Sequence, residues 1–293
     1  MGGAVLKRLT VFTPVYNRAD MLPRLYESLL SQTDKDFLWL AVDDGSKDDS
    51  LEVLKGFEAE GKLDIRIISR ENGGKMRAHN TGVKAAETEL FVCLDSDDCF
   101  TKNAVSDILK RWDEVSGKRN IAGIAANKGE TEDRPLYGCH LPEVPEDTLS
   151  GLYRKGFKGE TTLVYRTEIL KKHLFPEIDG EKYIPEDVVY DQIDREYKLS
   201  VMDKVLTVCI LTENGLTDRV KELREQNPNG WYLYYVSKIG ITGPSVLRLK
   251  YLSHYLRFRP LAAPEIREKY SVPFIRTIPA VPGAVILALM GKR

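Results

Sequence analysis

No sign of charge dominates this sequence. Over 293 residues, 43 Lys and Arg face 44 Asp and Glu, so the molecule lacks the basic field that nucleic-acid binding requires. Histidine is scarce too, and His79, His140, His173 and His254 have no metal-ligand spacing. The four cysteines (Cys93, Cys99, Cys139 and Cys209) include no CxxC pair, which argues against a zinc ribbon and, in a chain this long, against a disulfide framework. A reducing cytoplasmic location is therefore expected. No basic-then-apolar leader precedes the strand-like run at Leu9, so no signal peptide is expected. The longest apolar stretch, residues 278–290, is shorter than the roughly 20 residues of a spanning helix and is interrupted by Pro279, Pro282 and Gly283.

What is present is a chain with 42% apolar residues, enough for a packed core. Its first half alternates β-rich runs with amphipathic stretches, the pattern of βαβ units around a mostly parallel sheet. Strands are predicted at 9–13, 37–42, 65–69, 90–94 and 121–125, and later at 161–165 and 201–209. Helices are predicted at 19–30, after a cap at Asp48, at 75–86 and at 187–198. Residues 128–158 read as a long connection able to fold over a ligand. Beyond Gly215 the pattern is helical, with breaks at Pro228 and Pro244. The polar clusters fall at strand ends, where open α/β sheets bind ligands.

Three such clusters can carry chemistry. Asp95-Ser96-Asp97-Asp98 follows an apolar run, and alternate residues of an extended segment share a face, so Asp95 and Asp97 can converge on one point. Two carboxylates there suit Mg²⁺ or Mn²⁺, whose remaining ligands would be phosphate oxygens and water. Taken alone, the segment can equally be an acidic turn capping a helix that starts near Thr101. In Asp43-Asp44-Gly45-Ser46 a carboxylate can accept hydrogen bonds from a base or ribose, and glycine permits a sharp turn. Asn72-Gly73-Gly74-Lys75-Met76-Arg77 sets a glycine pair before a helix start, a suitable cradle for diphosphate with Lys75 or Arg77 beside it.

Together with Thr13-Pro14-Val15-Tyr16-Asn17-Arg18, these clusters occur in the order and spacing at which the chain resembles family 2 glycosyltransferases of GT-A fold, over roughly residues 8–210. The resemblance implies a GT-A catalytic domain over 1–212, with the donor side at 1–126 and the acceptor side at 127–212, followed by a helical C-terminal extension at 213–293. It implies that Pro14, Tyr16, Arg18, Asp43, Asp44, Asn72, Lys75, Arg77, Asp95 and Ser96 contact a nucleotide sugar, that Asp95 and Asp97 hold the metal, and that the donor is a UDP-sugar. Pro185-Glu186-Asp187-Val188 resembles the family's Glu-Asp element, which implies Asp187 as the general base of an inverting transfer and Glu186 as acceptor-positioning residue or second candidate. Without the resemblance, Glu186 and Asp187 are acidic residues of a first helical turn, favoured there by the dipole. The acceptor implied is a saccharide or lipid-linked saccharide, in the synthesis of a surface polysaccharide or glycolipid.

Two rivals differ in their residues. A nucleotidyltransferase making a nucleotide sugar would open with a glycine-rich triphosphate loop, and residues 14–18 contain no glycine. A non-catalytic nucleotide-sugar-binding protein would be expected to lose the metal pair or the base.

From Gly240 onward nine Lys or Arg stand against two Glu. Leu249, Tyr251, Leu252, Tyr255, Leu256 and Phe258 interleave with Arg248, Lys250, His254, Arg257 and Arg259, the composition of a basic amphipathic helix on an anionic membrane surface. Ile286, Leu287, Leu289 and Met290, before Lys292 and Arg293, could insert shallowly. Alternatively both segments pack on the catalytic domain or on a second subunit of a homo-oligomer.

Overall fold

The computed structural model describes residues 7–210, 220–273 and 276–280. The chain divides into two compact units, residues 1–174 with 196–210 and residues 175–195 with 211–293. The expected boundary of the helical extension at 212/213, and the run from Ile286 to Arg293, lie outside the described residues.

The first unit is α/β. In chain order it contains β1 (Leu9–Val15), α1 (Leu22–Leu30), β2 (Phe37–Asp43), α2 (Ser50–Glu60), β3 (Ile65–Ser69), α3 (Lys75–Ala85), β4 (Leu90–Cys93), β5 (Asp98–Phe100), α4 (Ala104–Val115), β6 (Ile121–Thr131), β7 (Arg134–Pro135), β8 (Glu146–Asp147), α5 (Leu149–Arg154), β9 (Thr161–Arg166), α6 (Thr167–Lys172) and β10 (Lys198–Cys209). The sheet runs β3-β2-β1-β4-β9-β6-β10-β5, with β7 on β6 and β8 on β10. Strands β3, β2, β1 and β4 are parallel, as are β6 and β10, while β9 runs antiparallel between β4 and β6. The parallel half follows from its connections: each of its crossovers is long enough to carry a helix, which returns the chain in the same direction.

Apolar periodicity explains the layers. On α1, Leu22, Leu25, Tyr26 and Leu29 are buried, and on α4 Val105, Ile108, Leu109, Trp112 and Val115. Both sets recur at helical spacing and face one core containing Leu9, Val11, Trp39, Leu90 and Val92. The polar tips of the large aromatics are satisfied, since Trp39 Nε1 donates to Thr13 Oγ1 at 3.0 Å and Trp112 Nε1 to Glu89 at 2.6 Å.

Residues 128–158, expected to be a long connection, contain regular structure. Strand β6 continues to Thr131, and β7, β8 and α5 lie within the span. Polar and glycine-rich composition hid these pieces because each is too short to show a period. The helix expected to start near Thr101 begins at Ala104, after β5 pairs with β10. The N-cap of the next helix is Asp49 rather than the expected Asp48, whose Oδ1 accepts the Ser50 amide at 3.0 Å from one position earlier.

The second unit is helical, with α7 (Asp187–Ile193), α8 (Val220–Gln226), α9 (Pro228–Ile241), α10 (Val246–Phe258) and α11 (Pro264–Lys269). Helix α7 ends five residues before the expected 198, because Lys198 already begins β10. Pro228 stands in the first turn of α9, where its missing N–H costs nothing. The buried Glu181 carboxylate accepts the amides of Asn229 at 2.7 Å and Gly230 at 2.8 Å, capping α9 from far away in sequence.

Helix α10 does not present a free apolar stripe. Leu252, Tyr255 and Phe258 are buried; the Tyr255 ring lies 5.2 Å from Tyr232 of α9, and the Phe258 ring 5.5 Å from Tyr235. His254, read as part of the basic face, stacks on Tyr235 at 5.0 Å, and burial together with Arg224 and Arg257 pushes its pKa down to about 4, so it is neutral near pH 7. The large apolar residues left exposed on this helix are Val246, Leu247 and Leu249. Among the described residues no helix is long and apolar enough to cross a membrane.

Two glycines make opposite predictions about stability. A Cβ at Gly123 on β6 would stand 1.8 Å from the Val164 carbonyl oxygen of β9, whereas one at Gly56 on α2 would meet nothing within 4 Å. Gly123→Ala is expected to lose roughly 3 kcal/mol or more by forcing the strands apart. Gly56→Ala should gain about 0.5–1 kcal/mol from helix propensity. Thermal melts of the two variants beside the parent check both signs.

Candidate active site

The register of the parallel strands brings the loops that follow β1, β2 and β3 together. Val15 of β1 pairs with Asp43 of β2, and Asp43 with Ser69 of β3. The acidic cluster follows β4, whose Cys93 pairs with Phe12, so residues 94–97 emerge beside the end of β1. The loops are then locked to each other. Asn17 takes a left-handed φ of 53°, its amide donates to Ser46 Oγ at 3.0 Å, and its Oδ1 accepts the Lys47 amide at 2.8 Å. The Arg18 amide donates to Ser50 Oγ at 2.8 Å. Tyr16 beside them is exposed.

Asp43 and Asp44 are both buried and do different work. Asp43 accepts the Ser46 amide and the Ser69 hydroxyl, each at 3.2 Å. Asp44 binds the Arg70 guanidinium and accepts Asn72 Nδ2 at 3.1 Å and the amides of Gly73 and Gly74, the latter at 2.7 Å. Its carboxylate thereby organises the loop that opens α3, and these donors use the acceptor capacity that a nucleotide contact would need. Gly74 there has φ 92°, and a Cβ on Gly73 would overlap Arg70 and Arg77. Arg70 had no part in the sequence reading, although it immediately precedes the Glu71-Asn72-Gly73-Gly74 segment.

The acidic cluster is a charge network. Asp95 Oδ1 lies 2.8 Å from Lys75 Nζ and its Oδ2 3.7 Å from Lys128 Nζ. Burial opposes ionisation of Asp95, yet the two ammonium groups hold it well below the usual carboxylate range. Lys128, itself largely buried, also contacts Asp98 at 2.8 Å; the two carboxylates outweigh its desolvation and raise its pKa. Burial raises the Asp98 carboxyl despite Lys128. Asp97 is exposed to a similar degree, 25% against 29% for the Asp95 side chain, and differs in its partner, making a long ion pair of 3.8 Å to Arg18. Ser96 is buried between them.

Asp95 and Asp97, expected to converge on one point, thus have different partners. Asp97 retains lone pairs for a hard cation, and Asp95 is ionised beside it. These donors fit a divalent ion that takes one or two protein carboxylates and completes its shell elsewhere. No group of three or more His, Cys, Asp or Glu able to hold a metal occurs among the described residues. Lys128 escaped the sequence reading because the span it opens was taken for a connection, whereas it lies on β6. His79 sits in the core, its ring edge-on to Phe12 at 5.6 Å and Phe91 at 5.5 Å.

In the second unit, Asp187 opens α7 and Glu186 is its exposed N-cap residue. Lys238 Nζ on α9 lies 2.5 Å from Asp187 Oδ1 and 3.0 Å from Asp191 Oδ1. Ser237 Oγ donates to Asp191 Oδ2 at 3.0 Å. The Asp187 side chain is 44% exposed and that of Asp191 4%. No sequence signal joins Asp187 to Lys238, 51 residues away.

Residues 10–174 match the family described as Glycosyl transferase family 2. The chain is 31% identical over 182 residues to an uncharacterised glycosyltransferase of Nostoc sp., covering 60% of this chain and 55% of that protein. It is 25% identical over 185 residues to the Staphylococcus aureus poly(ribitol-phosphate) β-N-acetylglucosaminyltransferase TarS, covering 62% of this chain and 30% of the relative. The chain thus spans about half, or less, of the length of these relatives. Among solved structures it resembles S. aureus TarS 1–349 in complex with UDP-GlcNAc, with a TM-score of 0.61, 21% identity and coverage of 86% of this chain and 72% of that one. It also resembles a Pyrobaculum calidifontis mannosyltransferase in complex with GDP-Man and Mn²⁺, with a TM-score of 0.59, 17% identity and coverage of 99% and 77%. The strand-end loops around Asp44 and Asp95 lie within the matched residues, and the chain belongs to glycosyl transferase family 2.

Proposed function

We propose that the protein transfers a sugar, with inversion, from a nucleotide diphosphate, first among them a UDP-sugar, to a hydroxyl of a saccharide or lipid-linked saccharide. The observation that carries this reading is the ring of Arg18, Lys75 and Lys128 around Asp95 and Asp97 at the ends of parallel strands. Cations mixed with carboxylates suit a diphosphate, and carboxylate ligands suit a hard ion. A Mg²⁺ or Mn²⁺ held by Asp97 with Asp95 would supply countercharge to the departing diphosphate. The names of the relatives support the substrate class. TarS is a poly(ribitol-phosphate) N-acetylglucosaminyltransferase, and a Staphylococcus epidermidis relative is a teichoic acid poly(glycerol phosphate) polymerase. Cell-surface polymer synthesis is the corresponding role here.

In this reading residues 1–126, joined by Lys128, bind the donor, and 127–212 otherwise contribute to the acceptor side. Tyr16 and Asp43 contact the nucleoside, with Pro14 shaping the turn. Asn72, Lys75, Arg77 and Arg18 face the phosphates and sugar, while Asp44 keeps their loop in place. Asp187 takes the proton of the acceptor hydroxyl as that oxygen bonds to the anomeric carbon. The bond from that carbon to the phosphate oxygen breaks, and its electron pair leaves with the nucleotide. One base and no covalent intermediate give inversion. Glu186, exposed beside Asp187, orients the acceptor.

Asp187→Asn is expected to lower acceptor-dependent turnover about 10²- to 10⁴-fold while leaving UDP affinity within twofold. A panel of UDP-, GDP- and dTDP-sugars with Mn²⁺, read by nucleotide release, first identifies the donor, and full turnover in the variant would remove Asp187 from the mechanism. Asp97→Asn should abolish the Mn²⁺-dependent part of UDP binding in calorimetry and leave the metal-free part, with chelation of the parent giving the same result. Contact with an anionic membrane is narrowed to Val246, Leu247 and Leu249 beside Arg248 and Lys250. Changing these three apolar residues to Ser should reduce sedimentation with phosphatidylglycerol vesicles several-fold, and unchanged partitioning would end that part of the proposal.

A further inference from the structure

Asp191 is a buried carboxylate one turn along α7 from Asp187, and the transfer just described gives it no part. Its surroundings are defined. Lys238 Nζ on α9 is 3.0 Å from one oxygen, and the Ser237 hydroxyl donates to the other at 3.0 Å. The same ammonium is 2.5 Å from Asp187 and 5.5 Å from the centre of the Tyr234 ring. Its side chain is only 12% exposed. Lys238 is thus fixed by two carboxylates and an aromatic face, far more tightly than a surface lysine, whose ion pair contributes little. The phenols of Tyr234 on α9 and Tyr251 on α10 also act on this cluster, and the Arg195 guanidinium lies against Gly240 further along α9.

A base in this position meets a charge problem. Before transfer, two carboxylates share one ammonium. Once Asp187 has taken the acceptor proton it is neutral, and an ammonium paired with it alone would be left buried and uncompensated, which is strongly unfavourable. With Asp191 present, Lys238 keeps a partner in both states.

We propose that Lys238 is a positioning residue for Asp187, holding its carboxylate in one place, and that Asp191 is the permanent counterion that keeps Lys238 there throughout the reaction. The inference rests on Asp187 being the base and assigns to α9 a share in the transfer.

Substrate-independent evidence comes from carboxyl ¹³C NMR titration of protein labelled at aspartate Cγ, with the Asp191→Asn spectrum assigning its resonance. Burial raises the Asp191 pKa to about 6, Lys238 lowers it and Asp187 raises it. Lys238→Met should therefore move the Asp191 midpoint above about 6, Lys238→Arg should restore it, and Asp187→Asn should move it down. Turnover is read as nucleotide release from the nucleotide sugar selected by the panel, with water as acceptor. Lys238→Met should lower kcat at least tenfold with donor KM within twofold, and should shift the acid limb of the rate profile to higher pH, because the carboxylate loses its cation. Asp191→Asn should shift that limb the other way, since Lys238 then acts on Asp187 undivided.

Opposed shifts, with partial recovery in Lys238→Arg, support the assignment; a structural role would lower activity without moving the limbs apart. Should Lys238→Met fail to fold, Lys238→Met with Asp191→Asn removes both buried charges, and its acid limb should still lie above that of the parent. Unmoved acid limbs, or an Asp191 midpoint indifferent to Lys238→Met, overturn the inference. If Asp187→Asn keeps full turnover, the base assignment falls and this inference with it. If Asp187→Asn is inactive while the Lys238 variants behave as the parent, only the inference falls.

Discussion

The buried carboxylate of Asp44 is the interaction on which the strand-end site depends. It stands at the end of β2 and gathers Arg70, Asn72 and the amides of Gly73 and Gly74, so the chain leaving β3 is drawn across the sheet edge before it enters α3. A carboxylate buried without such donors would carry a large desolvation cost, and several charge-assisted bonds offset it. The loop conformation and the burial of the Asp44 side chain therefore depend on each other. Glycine at 73 and 74 is the steric condition, since the backbone passes against Arg70 and Arg77 and turns through positive φ.

That geometry fixes Lys75 at the start of α3, and Lys75 fixes Asp95. Asp95 is then held between two cations, and the adjacent carboxylates take different roles through their surroundings. Asp98 is buried against Lys128, Asp95 is ionised within the network, and Asp97 keeps a quarter of its side chain open. A similar division occurs in the helical unit, where Asp187 is accessible and Asp191, one turn later, is buried with the shared lysine. In both places one lysine bridges two carboxylates of unequal exposure, Lys128 between Asp95 and Asp98 and Lys238 between Asp187 and Asp191.

Much of the fold was legible. Strands 9–13, 37–42, 65–69 and 90–94 fall within a residue or two of β1 to β4, because apolar runs of strand length between amphipathic helices admit few other readings. The loops at 14–18, 43–46, 72–77 and 95–98 were legible as strand-end clusters for the same reason. Short elements were not. β8 pairs with the distant β10, β7 is a two-residue partner of the adjacent β6, and α5 is under two turns long, so their local composition carries little signal. The amphipathic pattern of α10 was visible, but its apolar residues could face lipid or protein equally well, and packing against α9 decided for Leu252, Tyr255 and Phe258.

By itself the sequence determined the α/β alternation, the positions of the acidic and glycine-rich turns, and the family to which they belong, because these are local patterns set by side-chain periodicity and backbone sterics. Tertiary structure alone decided which charges meet. Lys128 reaches Asp95 and Asp98 only because β6 lies in the same sheet, and Lys238 reaches Asp187 and Asp191 only because α9 packs along α7. The strength of an ion pair depends on distance and burial, and neither is a property of positions along a chain.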